Sequence, residues 1–439
     1  MNERNPLSRR ACIAAVTCAA LMPASLAARD AKRKSRPWPA VQKTLDGLVA
    51  ARRGSGLGVG ICFGDDEPAY PSAGTLAFDN RTPFDENSIA RMYSITKNVT
   101  RIATLLLVED GKLALDQPVT DLLPEFRDLR VIIDPAKGLD SRPARKVMTM
   151  RHLITNTSGL GSWTPGSDSG EPLHQLYRER GVTPGNYGTG RIRPGYGAQP
   201  KTLDELIGRV AELPLAFEPG TVLHYSIGFD VMALVIQRVS GMGYDEFLQR
   251  RLFKPLGMKS TGFQVSTRDA DRLTTLYDAT GRNAPANATN PSLPADLRIV
   301  DDRATSDWLK PPAPPAGGAG LVSTTRDFLR YARMLLNEGT FEAVRVMKPE
   351  TARLAVGNIH PPGVEDPSEA VGSGSRALLM NPLYPPGTIG SAGASGTIFW
   401  IDPKRRGAVV FIAQVMFGSP ARSPYAKPLA ASIEQDLAI

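Results

Sequence analysis

Residues 94–111 read SITKNVTRIATLLLVEDG. Ile95, Val99, Ile102, Leu105 and Leu106 recur at three- and four-residue steps, which puts one apolar stripe along an α-helix, and Gly111 supplies the stop. The spacing predicts a helix over 94–110 with a buried face. Ser94 and Lys97 stand three residues apart at its start, so both lie on one face and the amine can reach the hydroxyl. The helix N-terminus adds positive potential and free N–H groups beside them. A serine hydroxyl is a weak nucleophile until a nearby base takes its proton, and a lysine does so only where its surroundings favour the neutral amine. Ordinary usage produces about one Ser-x-x-Lys in a chain this long, so the pair gains meaning only from its surroundings.

Upstream, 57–80 shows short apolar runs broken by Gly, Asp and Pro, which read as antiparallel strands. The glycines between Gly54 and Gly60 fit neither a dinucleotide fingerprint nor a P-loop. Downstream, 111–309 mixes helical stretches with long loops at 159–200 and 280–315. Helical periodicity returns at Phe229 to Val239, stopped by Gly241, and at Thr325 to Leu336. Two apolar runs, Gly396 to Ile401 and Ala408 to Val415, flank a polar turn and predict a hairpin, followed by a C-terminal helix. Strands at both ends with helices between predict a mixed α/β fold. An antiparallel sheet flanked by helices, from about 39–110 and 310–439, would surround an inserted, mainly helical lobe at about 111–309.

The net charge is +8 over 439 residues, yet 1–38 carries eight basic side chains against two acidic ones, leaving +2 for the rest. That distribution argues against a nucleic-acid-binding surface. Instead the N-terminus reads as an export leader: Arg9 and Arg10, an uncharged stretch from Ala11 to Ala28, and small residues placed for cleavage after Ala27. Residues 1–27 are expected as signal peptide and 28–38 as linker, giving an exported, periplasmic protein without stable membrane insertion after cleavage. Ser8-Arg9-Arg10 fits twin-arginine export, whereas Cys12 in place of Phe leaves Sec export open. Losing the leader removes Cys12 and Cys18 and leaves Cys62 alone, in an apolar run that reads as a buried strand. No Gly-x-Ser-x-Gly elbow occurs, and the four histidines (His152, His174, His224 and His360) show no metal-ligand spacing. Neither a metal nor another cofactor is expected.

Around Ser94 stands an ordered set of motifs. It comprises Arg91-Met92-Tyr93-Ser94-Ile95-Thr96-Lys97, Glu109-Asp110-Gly111-Lys112-Leu113, and Leu153-Ile154-Thr155-Asn156-Thr157-Ser158-Gly159-Leu160. It continues with Phe217-Glu218-Pro219-Gly220 leading to Tyr225-Ser226, then Gly320-Leu321-Val322-Ser323-Thr324, and Gly396-Thr397 entering Trp400-Ile401-Asp402-Pro403. From about residue 40 to 435 the chain resembles the serine β-lactamase-like superfamily: class C β-lactamases, D-alanyl-D-alanine peptidases and family VIII carboxylesterases. The resemblance implies a β-lactamase/penicillin-binding-protein-like fold, Ser94 as acylated nucleophile, Lys97 as proton relay and Tyr225 as general base and acid. It also implies that the third motif falls on Ser391-Ala392-Gly393, with the backbone N–H groups of Ser94 and Ala394 forming the oxyanion hole.

Two departures narrow the expected function. The Asn two residues after the tyrosine in class C β-lactamases is Ile227 here, and the third motif opens on Ser391 in place of a cation. A β-lactam or D-alanyl peptide brings a carboxylate that Ser391 cannot anchor as an ammonium would. Tyr225, Ser226, Asp230 and Val231 match the Tyr-Ser-x-x-x-Asp-Val of family VIII esterases and lovastatin-type acyltransferases. The expectation is a serine hydrolase, a carboxylesterase acting on small or medium acyl esters, with Tyr225 or Lys97 taking the Ser94 proton. The alternatives are a β-lactamase or D-Ala peptidase or amidase of the same fold, and a non-catalytic binding or scaffolding member. The only partner expected is a small-molecule ester or amide substrate.

Overall fold

Alternating side chains along three long strands dictate the layering of the molecule. The computed structural model describes residues 35–162, 171–183, 197–280, 293–364, 387–418 and 423–438. The leader expected over 1–27 and most of the 28–38 linker lie outside them. The elements used below are α1 (Pro39–Ala50), β1 (Gly56–Phe63), β2 (Ser72–Gly74), α2 (Thr96–Glu109), α3 (Met150–Ile154) and α4 (Glu171–Glu179). They continue with α5 (Leu203–Ala211), α6 (Gly228–Ser240), α7 (Tyr244–Leu248), α8 (Thr325–Leu336), β3 (Ile389–Gly393), β4 (Thr397–Asp402), β5 (Gly407–Ile412) and α9 (Ala426–Leu437).

The main sheet runs β3-β4-β5-β1-β2 and is antiparallel throughout. Register sets Gly58 opposite Ile412 and Ser391 opposite Phe399. Val409 and Phe411 point to one side, into a core with Val41 and Leu45 of α1 and Leu429 and Ile433 of α9. Val410 and Ile412 point to the other, into the larger core holding α2, α6 and α8. Burial on both faces explains why these strands are nearly continuous apolar runs. Cys62 lies on β1, buried as expected, its thiol on the Asp66 carbonyl at 3.2 Å.

Two expectations need correction. The helix at 94–110 starts as a 3₁₀ turn over Tyr93–Ile95, and every residue of α2 from Thr96 to Leu107 is buried. Its polar side chains disguise this: Asn98 and Arg101 face Tyr331 of α8, Thr100 meets Tyr244 of α7 and the Gly317 carbonyl, and Thr104 lies on Met232 of α6, so the face they would otherwise give to water is enclosed. The 159–200 segment is not all loop, because Leu173, Leu176 and Tyr177 turn their apolar side inward from α4. Likewise 280–315 contains the strand Arg298–Asp301 and a 3₁₀ turn at Asp307–Leu309. Flanking glycines and prolines hide these short elements.

Candidate active site

Ser94 owes its position to strain held by packing. Tyr93, just before it, has φ +47°, a left-handed conformation costing a non-glycine residue about 1–2 kcal/mol. Its ring is buried 6.2 Å from Trp308, and the Arg91 guanidinium lies 5.4 Å over the same indole. The turn thereby directs Ser94 out of the core just ahead of α2. Ser94 Oγ and Tyr225 Oη are 2.7 Å apart, a hydrogen bond that either oxygen can donate. Tyr225, at 39% exposure, opens the pair to solvent. It precedes α6, whose buried run from Gly228 to Ile236 fixes that helix against α2.

Lys97 comes to the same place, as its spacing required, but makes a different contact. Its ammonium is buried, donates to the Gly318 carbonyl at 2.7 Å and lies 4.4 Å from the centre of the Tyr225 ring. Among the described residues Ser94 Oγ is therefore bonded to the tyrosine and not to the lysine. The segment that receives Lys97 is laced along α2. The Met92 N–H donates to the Leu321 carbonyl (2.8 Å), the Leu321 N–H to Thr96 Oγ1 (3.2 Å), and Thr100 Oγ1 to the Gly317 carbonyl (2.6 Å).

Ser391-Ala392-Gly393, the residues expected as the third motif, lie on edge strand β3. Ser391 is buried and shares a sheet face with its cross-strand partner Phe399, whose side chain enters the core holding α2, while Ala392 leans to the opposite core. Gly393 lies so close to the nucleophile segment that a Cβ there would collide with the Met92 carbonyl. Two fully buried hydroxyls staple the following turn: Ser395 Oγ donates to the Arg91 carbonyl (2.6 Å) and Thr397 Oγ1 to the Met92 carbonyl (3.2 Å). Ala394 is the exposed residue of that turn. The segments carrying the Ser94 and Ala394 N–H groups are thus tied within three residues of each donor, so the arrangement can present both to one carbonyl oxygen.

Sequence reasoning missed Gly318, Ser395 and Gln414, whose amide donates to the Arg91 carbonyl and accepts from the Arg91 N–H, and it met Thr397 only as part of a motif. Gly317-Gly318 carried a signal, since paired glycines mark close backbone approach. Asp230 entered only through the motif match. It is buried in the first turn of α6, where desolvation pushes its carboxyl up to about 6 against the opposing pull of Lys97. Among the described residues no group of three or more His, Cys, Asp or Glu side chains is placed to hold a metal ion.

A family model described as Beta-lactamase matches residues 41–432. Protein Rv1367c of Mycobacterium tuberculosis is 32% identical over 277 residues, 63% of this chain and 61% of that protein. Esterase EstB of Burkholderia gladioli is 33% identical over 251 residues, 56% of this chain and 57% of EstB. The chain thus spans about three fifths of the length of these two relatives. Lovastatin esterase of Penicillium rubens is 30% identical over 315 residues, 71% of this chain and 68% of that enzyme. Of solved structures, EstCE1, a hydrolase with promiscuous acyltransferase activity, superposes with a TM-score of 0.65 at 23% identity, over 90% of this chain and 98% of its own. A LovD6 mutant of simvastatin synthase from Aspergillus terreus superposes at 0.66 and 20% identity, over 95% and 97%. At such identities the likeness is one of fold.

Proposed function

Since the chain belongs to the beta-lactamase family, we propose that it is a serine carboxylesterase working through an acyl-Ser94 intermediate on small or medium acyl esters. The observation that carries this reading is the 2.7 Å contact between Ser94 Oγ and Tyr225 Oη, with the Lys97 ammonium against the tyrosine ring. Proton transfer requires heavy atoms about 2.6–3.2 Å apart, and Tyr225 meets that condition at Ser94. Entering the step as its phenolate, Tyr225 takes the Oγ proton as Oγ attacks the ester carbonyl, and the Ser94 and Ala394 N–H groups receive the oxyanion. Tyr225 then returns the proton to the departing alcohol. A water adds to the acyl-serine by the same route in reverse, releasing the acid and restoring the hydroxyl.

Ester over β-lactam or D-alanyl amide is supported by Ser391. A β-lactam or D-alanyl peptide carries a carboxylate, and the hydroxyl at this position offers no charge to meet it. Neutral esters need none. The curated names of EstB and lovastatin esterase agree with this preference.

The test is a panel of p-nitrophenyl esters, nitrocefin and a D-alanyl peptide, run beside Ser94→Ala. Ester turnover should dominate. Ser94→Ala should abolish both turnover and covalent labelling by a fluorophosphonate while leaving the melting curve unchanged. Residual activity within about tenfold of wild type would take Ser94 out of the mechanism.

A further inference from the structure

One buried ionisable group at the site has no part in the steps above. Asp230 lies five residues after Tyr225, in the first turn of α6, and is 3% exposed. Its Oδ1 accepts the Gly318 N–H at 3.1 Å, and the carbonyl of that same glycine accepts the Lys97 ammonium at 2.7 Å. A Cβ on Gly318 would sit 2.8 Å from Asp230 Oδ2 and 3.2 Å from Lys97 Nζ, which puts the two charges within about 6 Å of each other. Only glycine lets the backbone pass between them.

We propose that Asp230 is a positioning residue for the reaction: linked through Gly318, it is the counter-ion that keeps Lys97 an ammonium against the Tyr225 ring, so that Tyr225 takes the Ser94 proton. The assignment rests on the roles of Ser94 and Tyr225 given above. Burial alone would drive a lysine toward the neutral amine, whereas an opposite charge within about 4–6 Å holds the proton on it. Asp230 can supply that charge at neutral pH, since its carboxyl titrates near 6. Few other groups compete for it. From α2 it faces Lys97, and from α7 the Tyr244 phenol. The 317–318 segment offers backbone N–H groups. α3 meets the start of α6 through Leu153, and Asp204 of α5 bonds Gln237 and Arg238 two turns further on. The ammonium so held is a fixed positive charge against the ring of the tyrosine that removes the Ser94 proton.

The experiment titrates Lys97 directly, using the full chain with ¹³C-labelled lysines and the Lys97 signal assigned with Lys97→Arg. Wild type should hold Lys97 as ammonium through mildly alkaline pH. In Asp230→Asn the amine should lose its proton about one pH unit or more lower. The alkaline fall in the rate of Ser94 phosphonylation by a fluorophosphonate should move down by the same interval. Gly318→Ala, which keeps both charges and wedges a methyl between them, should shift the titration in the same direction. A neutral Lys97 in wild type at pH 7 would overturn the proposal. So would coincident titrations in a folded Asp230→Asn whose Ser94 is still labelled, and that result would leave the esterase reading intact. Failure of Ser94 to react in wild type would instead remove the esterase reading, and the reaction role of Asp230 with it.

Discussion

Ser391 and Asp230 show how much a single side chain can decide at this site. Ser391 sits on the sheet face that looks toward α2, yet brings no charge there. Ser391→Lys should raise turnover of carboxylate-bearing nitrocefin relative to a neutral ester by about tenfold, the worth of one charge-assisted hydrogen bond at ~1.5 kcal/mol. Unchanged substrate ratios, in a variant that melts like wild type, would exclude Ser391 from substrate choice. For Asp230 the linkage sign is definite. Its folded carboxyl titrates near 6, above the ordinary 3.8, so between those values the native state binds more proton than the unfolded chain. Its contribution is most favourable below about pH 4 and is lost as pH rises through 6. Wild type should therefore gain about 2 kcal/mol on Asp230→Asn when urea unfolding is moved from pH 7 to pH 4. Ser94 and Lys97 were legible as neighbours because a three-residue spacing at a helix start sets both on one side, although the hydroxyl bonds Tyr225 and not the amine. Gly318 was not, because its role exists only where a segment more than two hundred residues downstream meets α2.

Elements, more than single residues, set the distance between the Ser94 and Ala394 N–H groups, the proposed oxyanion donors. The β3–β4 turn is held to residues 91–92 by Ser395 and Thr397, and Gly393 leaves out a Cβ that would collide with the Met92 carbonyl. Thr397→Val keeps the shape, deletes the donor to the Met92 carbonyl and leaves that oxygen poorly satisfied, at a cost of about 1–3 kcal/mol. If the staple sets the oxyanion geometry, kcat should fall about ten- to a hundredfold with KM nearly constant, a fraction of the loss from removing a donor outright. Affinity for a boronic acid mimic of the tetrahedral state should fall in parallel, and Thr397→Ser should restore both. Equal losses in KM and kcat would mark the threonine as merely structural. The hairpin itself was readable from two apolar runs around Asp402-Pro403-Lys404-Arg405-Arg406-Gly407. That its near edge would adjoin the nucleophile was implied only by family resemblance, since pairing register carries no information about what lies beyond an edge strand.

Over the whole molecule, Arg91 joins segments remote in sequence around the nucleophile. Fully buried, it bonds Asp301 through Nε at 2.7 Å, Ser306 at 3.0 Å and the Thr274 carbonyl, while its backbone meets Gln414 323 residues away. Arg91→Met should cost about 3–5 kcal/mol by stranding the buried Asp301 carboxylate, and Arg91→Met with Asp301→Leu should recover most of it. Urea unfolding of the two single variants and the pair measures this; an additive double variant would show that the ion pair does not hold these segments together. What the sequence by itself determined are features whose physics is local: the periodic helices at 229–239 and 325–336, the C-terminal hairpin and helix, the strand setting of Cys62 and the Ser94–Lys97 pair. Each follows from a period of 3.6 or 2, or from a spacing of three. Only the tertiary structure decided that β1 pairs with β5 more than three hundred residues on, that α2 is enclosed on every side and that Tyr225, not Lys97, touches Ser94. It also set Asp230 and Lys97 on opposite sides of one glycine. These depend on which distant surfaces exclude water together, and a linear pattern does not name its partner.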